Sequence, residues 1–130
     1  MKKIEKFIEK HSLITFAVVI IATILITRFI VYYIYDPDTK ILGFDLHHFD
    51  YGLLLLIITI LLMLFVGKYY KTYLITSAIS LGLIIDQLWF IRNQIGGSNP
   101  AIYNPSFIPA LIVAVFVIIL AFIFQKLNRK

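Results

Sequence analysis

Four long apolar segments dominate the pattern of hydrophobic and polar positions along the chain. They cover about residues 13–35, 52–70, 72–91 and 107–124. Each is close to the roughly 20 residues that an α-helix needs to cross a hydrocarbon core of about 30 Å. The pattern therefore predicts an all-α fold, a polytopic bundle of four transmembrane helices that forms a single domain over residues 1–130.

The connections between the predicted spans differ in length. Residues 36–51 and 92–106 form two long loops, whereas residues 67–71 form a tight turn. So short a turn predicts that the second and third spans are antiparallel neighbours. Residues 1–11 place apolar positions at helical spacing among lysines and glutamates, which predicts a short amphipathic helix on the membrane surface and not a cleaved signal peptide.

The distribution of charge predicts how the bundle is oriented across the membrane. The chain carries 12 Lys and Arg against 7 Asp and Glu, a net charge of +5. Nine of the twelve basic residues lie in the N-terminal segment, the tight turn and the C-terminal tail, while the long loops hold only Lys40 and Arg92. The positive-inside rule then predicts cytoplasmic N- and C-termini in a cell membrane, with both long loops on the outer face. Because the basic residues flank the spans, we do not expect nucleic acid as a partner.

Two ionisable residues interrupt the apolar spans. Arg28 in the first span and Asp86 in the third each lie just over 20 Å along their helices, at about 1.5 Å per residue, and so at similar depth. Charges within a membrane usually pair or mark a functional site, so we predict a structural ion pair between them. Alternatively, Arg28 extends alone to the surface. Ala78, Gly82 and Asp86 follow one another at four-residue intervals, which predicts that Asp86 faces the bundle.

A second group of polar side chains precedes the second span. It contains two adjacent histidines and nearby carboxylates, the side chains that bind divalent metals. Cysteine is absent, so a thiolate site is excluded. The candidate metal ligands are His47, His48, Asp50 and Asp86, and no other cofactor is predicted. Two alternatives are polar residues that contact solvent or headgroups, and a pH sensor, since the unperturbed histidine pKa is about 6.5.

These motifs also resemble those of a protein group. His47 and His48 open the second span with Gly52 behind them, and Gly82 precedes Asp86 late in the third. The combination, over about half of the chain, resembles uncharacterised small four-span prokaryotic integral membrane proteins with a His-His…Gly segment and a Gly-rich helix ending in Asp-Glu. The resemblance implies that His47, His48 and Asp86 belong to one constellation, and it implies no reaction. Gln87 stands where that group has glutamate, which counts against a two-carboxylate metal site on the third span.

Three functions are consistent with these residues. The first is a binding or scaffolding membrane protein with an outward-facing His/Asp site, with or without a divalent metal. The second is a metal-assisted hydrolase or transferase acting on lipid headgroups, with Asp50 or Asp86 as the base. The third is a small oligomeric transporter or channel that uses Asp86. The expected partners are membrane lipids, a second copy of the chain or another membrane protein, and the sequence does not decide whether the protein is an enzyme.

Overall fold

The computed structural model describes residues 11–34, 39–41, 44–92 and 104–127. The predicted amphipathic helix near the N-terminus and most of the second long loop lie outside these residues. The described part contains four α-helices, each long and apolar enough to cross a membrane, as the sequence predicts. They are α1 (Ser12–Ile34), α2 (His48–Phe65), α3 (Tyr70–Arg92) and α4 (Phe107–Leu127).

A small β-hairpin, which the hydrophobic pattern does not predict, precedes α2. Strands β1 (Thr39–Ile41) and β2 (Phe44–Leu46) pair antiparallel, with Lys40 opposite Asp45. A single 3₁₀ turn, Asn104–Ser106, leads into α4. The helices therefore carry the fold, and the hairpin is an addition to the first long loop.

The bounds of α2 differ from the prediction at both ends. The helix begins at His48, four residues before the predicted start, because the Asp50 carboxylate accepts a hydrogen bond of 2.9 Å from the backbone N–H of His47. This is one half of a capping box, which satisfies an N–H that the helix leaves unpaired. The helix ends at Phe65, and Gly67 follows with a φ of 63°, the left-handed conformation that glycine adopts readily after a helix.

Helix α3 lies at the centre of the bundle. One face packs against α2, and the opposite face packs against α1 and α4, which also contact each other. The buried apolar core lies on the second face, where Ile20 and Ile24 of α1 meet Ala78 and Ile85 of α3. The protein is thus a three-helix core with α2 against the far side of α3.

Two glycines bring neighbouring helices close to α3. A Cβ atom at Gly82 would lie 2.7 Å from Cβ of Thr23 on α1, and one at Gly52 of α2 would lie 2.9 Å from the carbonyl oxygen of Ser80. Small residues allow helices in lipid to approach closely, which replaces the missing hydrophobic driving force with packing. Ala78, Gly82 and Asp86 are all buried, so the predicted inward face of α3 is confirmed.

Both ends of the bundle carry polar contacts between helices. We call the end at Ile34, His48, Arg92 and Phe107 the junction end, and the opposite end, which contains the short connection between α2 and α3, the turn end. At the turn end the Gln125 amide donates to the Ser12 hydroxyl at 3.1 Å and ties α4 to α1. Between the two ends, the hydroxyls of Thr59 and Thr76 meet at 3.0 Å and join α2 to α3.

Candidate functional site

An ion pair lies at the junction end between α1 and α3. Arg28 Nε donates to Asp86 Oδ1 at 2.6 Å, so the two side chains that the depth argument pairs are in contact. The Arg28 side chain is 12% exposed and that of Asp86 is fully buried. A buried carboxylate needs a charged or hydrogen-bonding partner, because its desolvation is otherwise very costly.

The same guanidinium extends the contact to α4. Arg28 Nη2 donates to the hydroxyl of Ser106 at 2.9 Å, and the Asp86 carbonyl oxygen lies 3.4 Å from the same nitrogen. Cζ of Arg28 lies 5.0 Å from the centre of the Phe107 ring, within the range of a cation–π contact. Arg28 therefore links three helices, since Ser106 immediately precedes α4 and Phe107 begins it.

Gln87, the residue after Asp86, makes the equivalent connection to α2. Its Oε1 accepts a hydrogen bond of 2.9 Å from the backbone N–H of Phe49, and its Nε2 lies 3.2 Å from Nδ1 of His48. The N–H groups in the first turn of a helix have no partner within the helix, so a side chain from α3 satisfies one of them. Gln87 is 4% exposed and uses both ends of its amide.

We call these five residues the polar junction: Arg28, His48, Asp86, Gln87 and Ser106. Successive residues on an α-helix point about 100° apart, so two adjacent positions can address different neighbours. Asp86 faces α1 and α4, and Gln87 faces α2. All three other helices are thereby tied to one turn of α3.

The sequence did not single out Ser106 or give Gln87 a contact. Ser106 is fully buried immediately before α4, and its position just ahead of an apolar run at the junction end was the available signal. Gln87 was noted only as a departure from a carboxylate. A buried amide beside Asp86 was the available signal for a contact to another helix, since buried polar groups are nearly always hydrogen-bonded.

The candidate metal ligands do not converge in the described residues. No three His, Cys, Asp or Glu side chains there are arranged to hold a metal ion. His48 contacts Gln87, Asp50 accepts from the His47 backbone, and Asp86 pairs with Arg28. The structure thus brings Arg28 and Asp86 together and attaches His48 to α3, while the metal site remains a prediction.

The hydrogen bonds of Gln87 fix the proton on the His48 ring. The Phe49 N–H can only donate, so the Gln87 atom that accepts from it is the oxygen and the other is the NH₂ group. An NH₂ group donates, so Nδ1 of His48 must accept and carries no proton. In this arrangement the ring proton of a neutral His48 lies on Nε2.

The described fold is a bundle of four helices long and apolar enough to cross a membrane, consistent with a small multi-pass membrane protein, and it has a buried polar junction at one end. Comparisons with protein-family models, with curated proteins and with solved structures find no match for this chain.

The ion pair generates a prediction about stability. We expect Asp86→Leu to lower the free energy of unfolding by about 3–5 kcal/mol, because Arg28 is left without its counter-ion in a buried site. The double variant Arg28→Met/Asp86→Leu should cost less than Asp86→Leu alone, since no unpaired charge remains. Reversible unfolding in detergent micelles measures both. The control is Gln125→Leu, which breaks a neutral hydrogen bond worth about 1 kcal/mol; an Asp86→Leu cost no larger than this would contradict the structural role of the pair.

The His48 assignment is testable by ¹⁵N NMR at neutral pH. In the wild-type protein we expect Nδ1 of His48 to show the resonance of an unprotonated ring nitrogen. In Gln87→Glu the group facing Nδ1 becomes a carboxylate oxygen, which requires a proton on Nδ1. His11 and His47, the other two histidines, are internal controls and should keep their spectra. A protonated Nδ1 in the wild-type protein would show the assignment to be wrong.

Proposed function

We propose that the protein is a multi-pass cell-membrane protein with a binding or scaffolding role, carried by an outward-facing polar rim. The rim consists of His47, His48 and Asp50, at the corner between β2 and α2. Its expected partners are lipid headgroups, together with a second copy of the chain or another membrane protein. Asp86 supports this rim from within the bundle.

The proposal rests on a difference in burial between two sets of polar side chains. Asp86 and Gln87 are almost completely buried, and their side chains hold neighbouring helices. His47, His48 and Asp50 are only half-buried. A side chain that is sealed among helices is poorly placed to meet a ligand, whereas a half-buried rim on a fixed support suits binding.

The charge distribution supports the outward orientation. Lys68 and Lys71 lie at the turn end, and Lys126 lies in the last turn of α4 at the same end. The lysines of residues 1–11 precede α1 in the sequence. Lys and Arg are enriched in cytoplasmic segments, so the turn end and both termini are assigned to the cytoplasm and the rim to the outer face.

The contacts of the candidate ligands favour a role that does not depend on a metal. Asp50 and Asp86 already accept hydrogen bonds within the protein, and Nδ1 of His48 accepts from Gln87. A metal bound through Nδ1 of His48 would have to displace Gln87, and one bound at Asp86 would compete with the charge of Arg28. Lipid headgroups need only the exposed sides of the rim.

The orientation is tested by labelling a single cysteine, because the natural chain has none. We expect His47→Cys to react with a membrane-impermeant maleimide applied to intact cells, since the rim faces outward. The matched variant Lys68→Cys, exposed at the turn end, should react only after the cells are lysed. The reverse pattern would place the rim in the cytoplasm and contradict the proposal.

The binding role is tested on detergent-purified protein by counting bound phospholipid and metal per chain. We expect His47→Ala/His48→Ala to retain less phospholipid than the wild type, while Lys68→Ala/Lys71→Ala, at the other end, serves as the control. Neither the wild type nor the His47→Ala/His48→Ala variant should hold near-stoichiometric metal after incubation with zinc or manganese.

Two results would contradict this reading. Equal phospholipid retention in the His47→Ala/His48→Ala variant and the wild type would exclude the rim as a headgroup site. A near-stoichiometric metal that only the histidine variant loses would contradict the metal-independent role and favour the metal-assisted hydrolase or transferase.

A further inference from the structure

Hydrogen bonds at the polar junction place α1, α2 and α3 at a common level. The contact of His48 with Gln87 aligns the start of α2 with α3, and the contact of Arg28 with the adjacent Asp86 aligns α1 with the same turn. Helices α1 and α2 pack on opposite faces of α3, at Gly82 and at Gly52 respectively. Distances along the two outer helices can therefore be counted from one reference level.

Beyond this level, α1 continues as an apolar and aromatic surface. The helix extends to Ile34, about 9 Å past Arg28 at 1.5 Å per residue. Phe29, Tyr32 and Tyr33 are 60%, 60% and 68% exposed. The rings of Phe29 and Tyr33 are 4.5 Å apart, and those of Tyr32 and Tyr33 are 5.0 Å apart. Exposed tyrosines at a helix end mark the boundary between lipid and water, so this boundary lies at Tyr32 and Tyr33 beside α1.

Beside α2 the same level is already polar. The helix begins there, and His47, His48 and Asp50 are half-buried at its first turn. Charged and imidazole groups are expensive to place in hydrocarbon, which favours a boundary at this turn beside α2. The boundary on the α1 side is about 6–8 Å higher, as counted from Arg28 to Tyr32 and Tyr33.

The turn end shows no such step. From the common level, α2 extends about 26 Å to Phe65 and α1 extends about 24 Å back to Ser12. Polar residues follow both ends, His11 before α1 and Lys68 after α2. A tilt of the whole bundle would shorten α1 relative to α2 on this side of the common level by as much as it lengthens α1 on the other side. The two lengths towards the turn end are nearly equal, which argues against a tilt.

We propose that the lipid leaflet at the junction end is thinner beside α2 than beside α1. Headgroup and ester groups of the lipids then descend to the level of His47, His48 and Asp50, and hydrocarbon covers the taller surface of α1. Bilayers adapt to a short hydrophobic span by local thinning at modest cost. The inference rests on the proposed function only for the identity of the leaflet, which is the outer one if the rim faces outward.

Spin labels on single cysteines test the step in phosphatidylcholine vesicles. Tyr51→Cys on α2 and Ile26→Cys on α1 are exposed positions about 3–5 Å inward from the common level. Leu64→Cys and Ile14→Cys form the control pair near the turn end, exposed and about 21–24 Å from that level. Collision rates with oxygen and with a water-soluble nickel complex give the depth of each label. The unfolding midpoint of every variant is compared with that of the wild type.

We expect the label at residue 51 to lie about 5 Å or more closer to the headgroups than the label at residue 26, while the control pair lies at equal depth. Equal depths in both pairs would show a flat boundary and overturn the proposal. Opposite offsets in the two pairs would show a tilted bundle and overturn it as well. Maleimide labelling that placed the rim in the cytoplasm would change the leaflet and leave the step intact, so the two proposals fail separately.

Discussion

A carboxylate that is fully removed from solvent imposes the main constraint on this structure. Asp86 requires a positive charge at hydrogen-bonding distance, and Arg28 supplies it at 2.6 Å. That requirement fixes the height of α1 against α3 and, through Ser106, the height at which α4 begins. An ion pair in a low-dielectric interior adds little net stability over well-packed apolar residues. Its effect is to specify register, because a shift of one turn would leave both charges unpaired.

The two faces of α3 are held by different means. Towards α1 and α4, the charged contacts of Asp86 and the close approach at Gly82 act together. Towards α2, neutral amide and hydroxyl contacts at Gln87 and Thr76 accompany the close approach at Gly52. Apolar side chains in lipid are already out of water, so the hydrophobic effect does not favour one helix pairing over another. Polar and small-residue contacts must therefore supply the specificity of helix pairing.

The architecture was readable from the sequence because a membrane makes length and hydropathy decisive. The pairing of α2 with α3 also followed, from a turn too short to allow anything else. The polar start of α2 could not be read in the same way, since hydropathy marks where a helix enters lipid and not where it begins. His48 and Asp50 belong to the first turn because of a backbone-to-carboxylate hydrogen bond, which a hydrophobic pattern does not contain.

The candidate site was predicted only in part, because the sequence gives the depth of a residue along its helix and not the direction in which its side chain faces. Arg28 and Asp86 could be matched by counting rise per residue, because a helix converts sequence position into depth. The contacts of Gln87 and Ser106 depend on which faces meet, and rise per residue does not contain that information. His48 turns towards α3, where its Nδ1 lies 3.2 Å from the amide nitrogen of Gln87. Adjacent side chains on a helix point about 100° apart, so rise per residue alone does not tell a contact with Gln87 from a contact with Asp86.

The separation of the two charges in the sequence affects the order in which the fold is assembled during synthesis. Arg28 and Asp86 are 58 positions apart, so a ribosome completes α1 and most of α3 in sequence and not together. Between these moments Arg28 has no carboxylate to meet. Its place close to the end of α1 suits this interval, because a long side chain near a helix end can reach the headgroups until its partner has been made. The ion pair can close once α3 is made, before α1 meets Ser106 and Gln125, and the order of synthesis becomes part of how the fold is assembled.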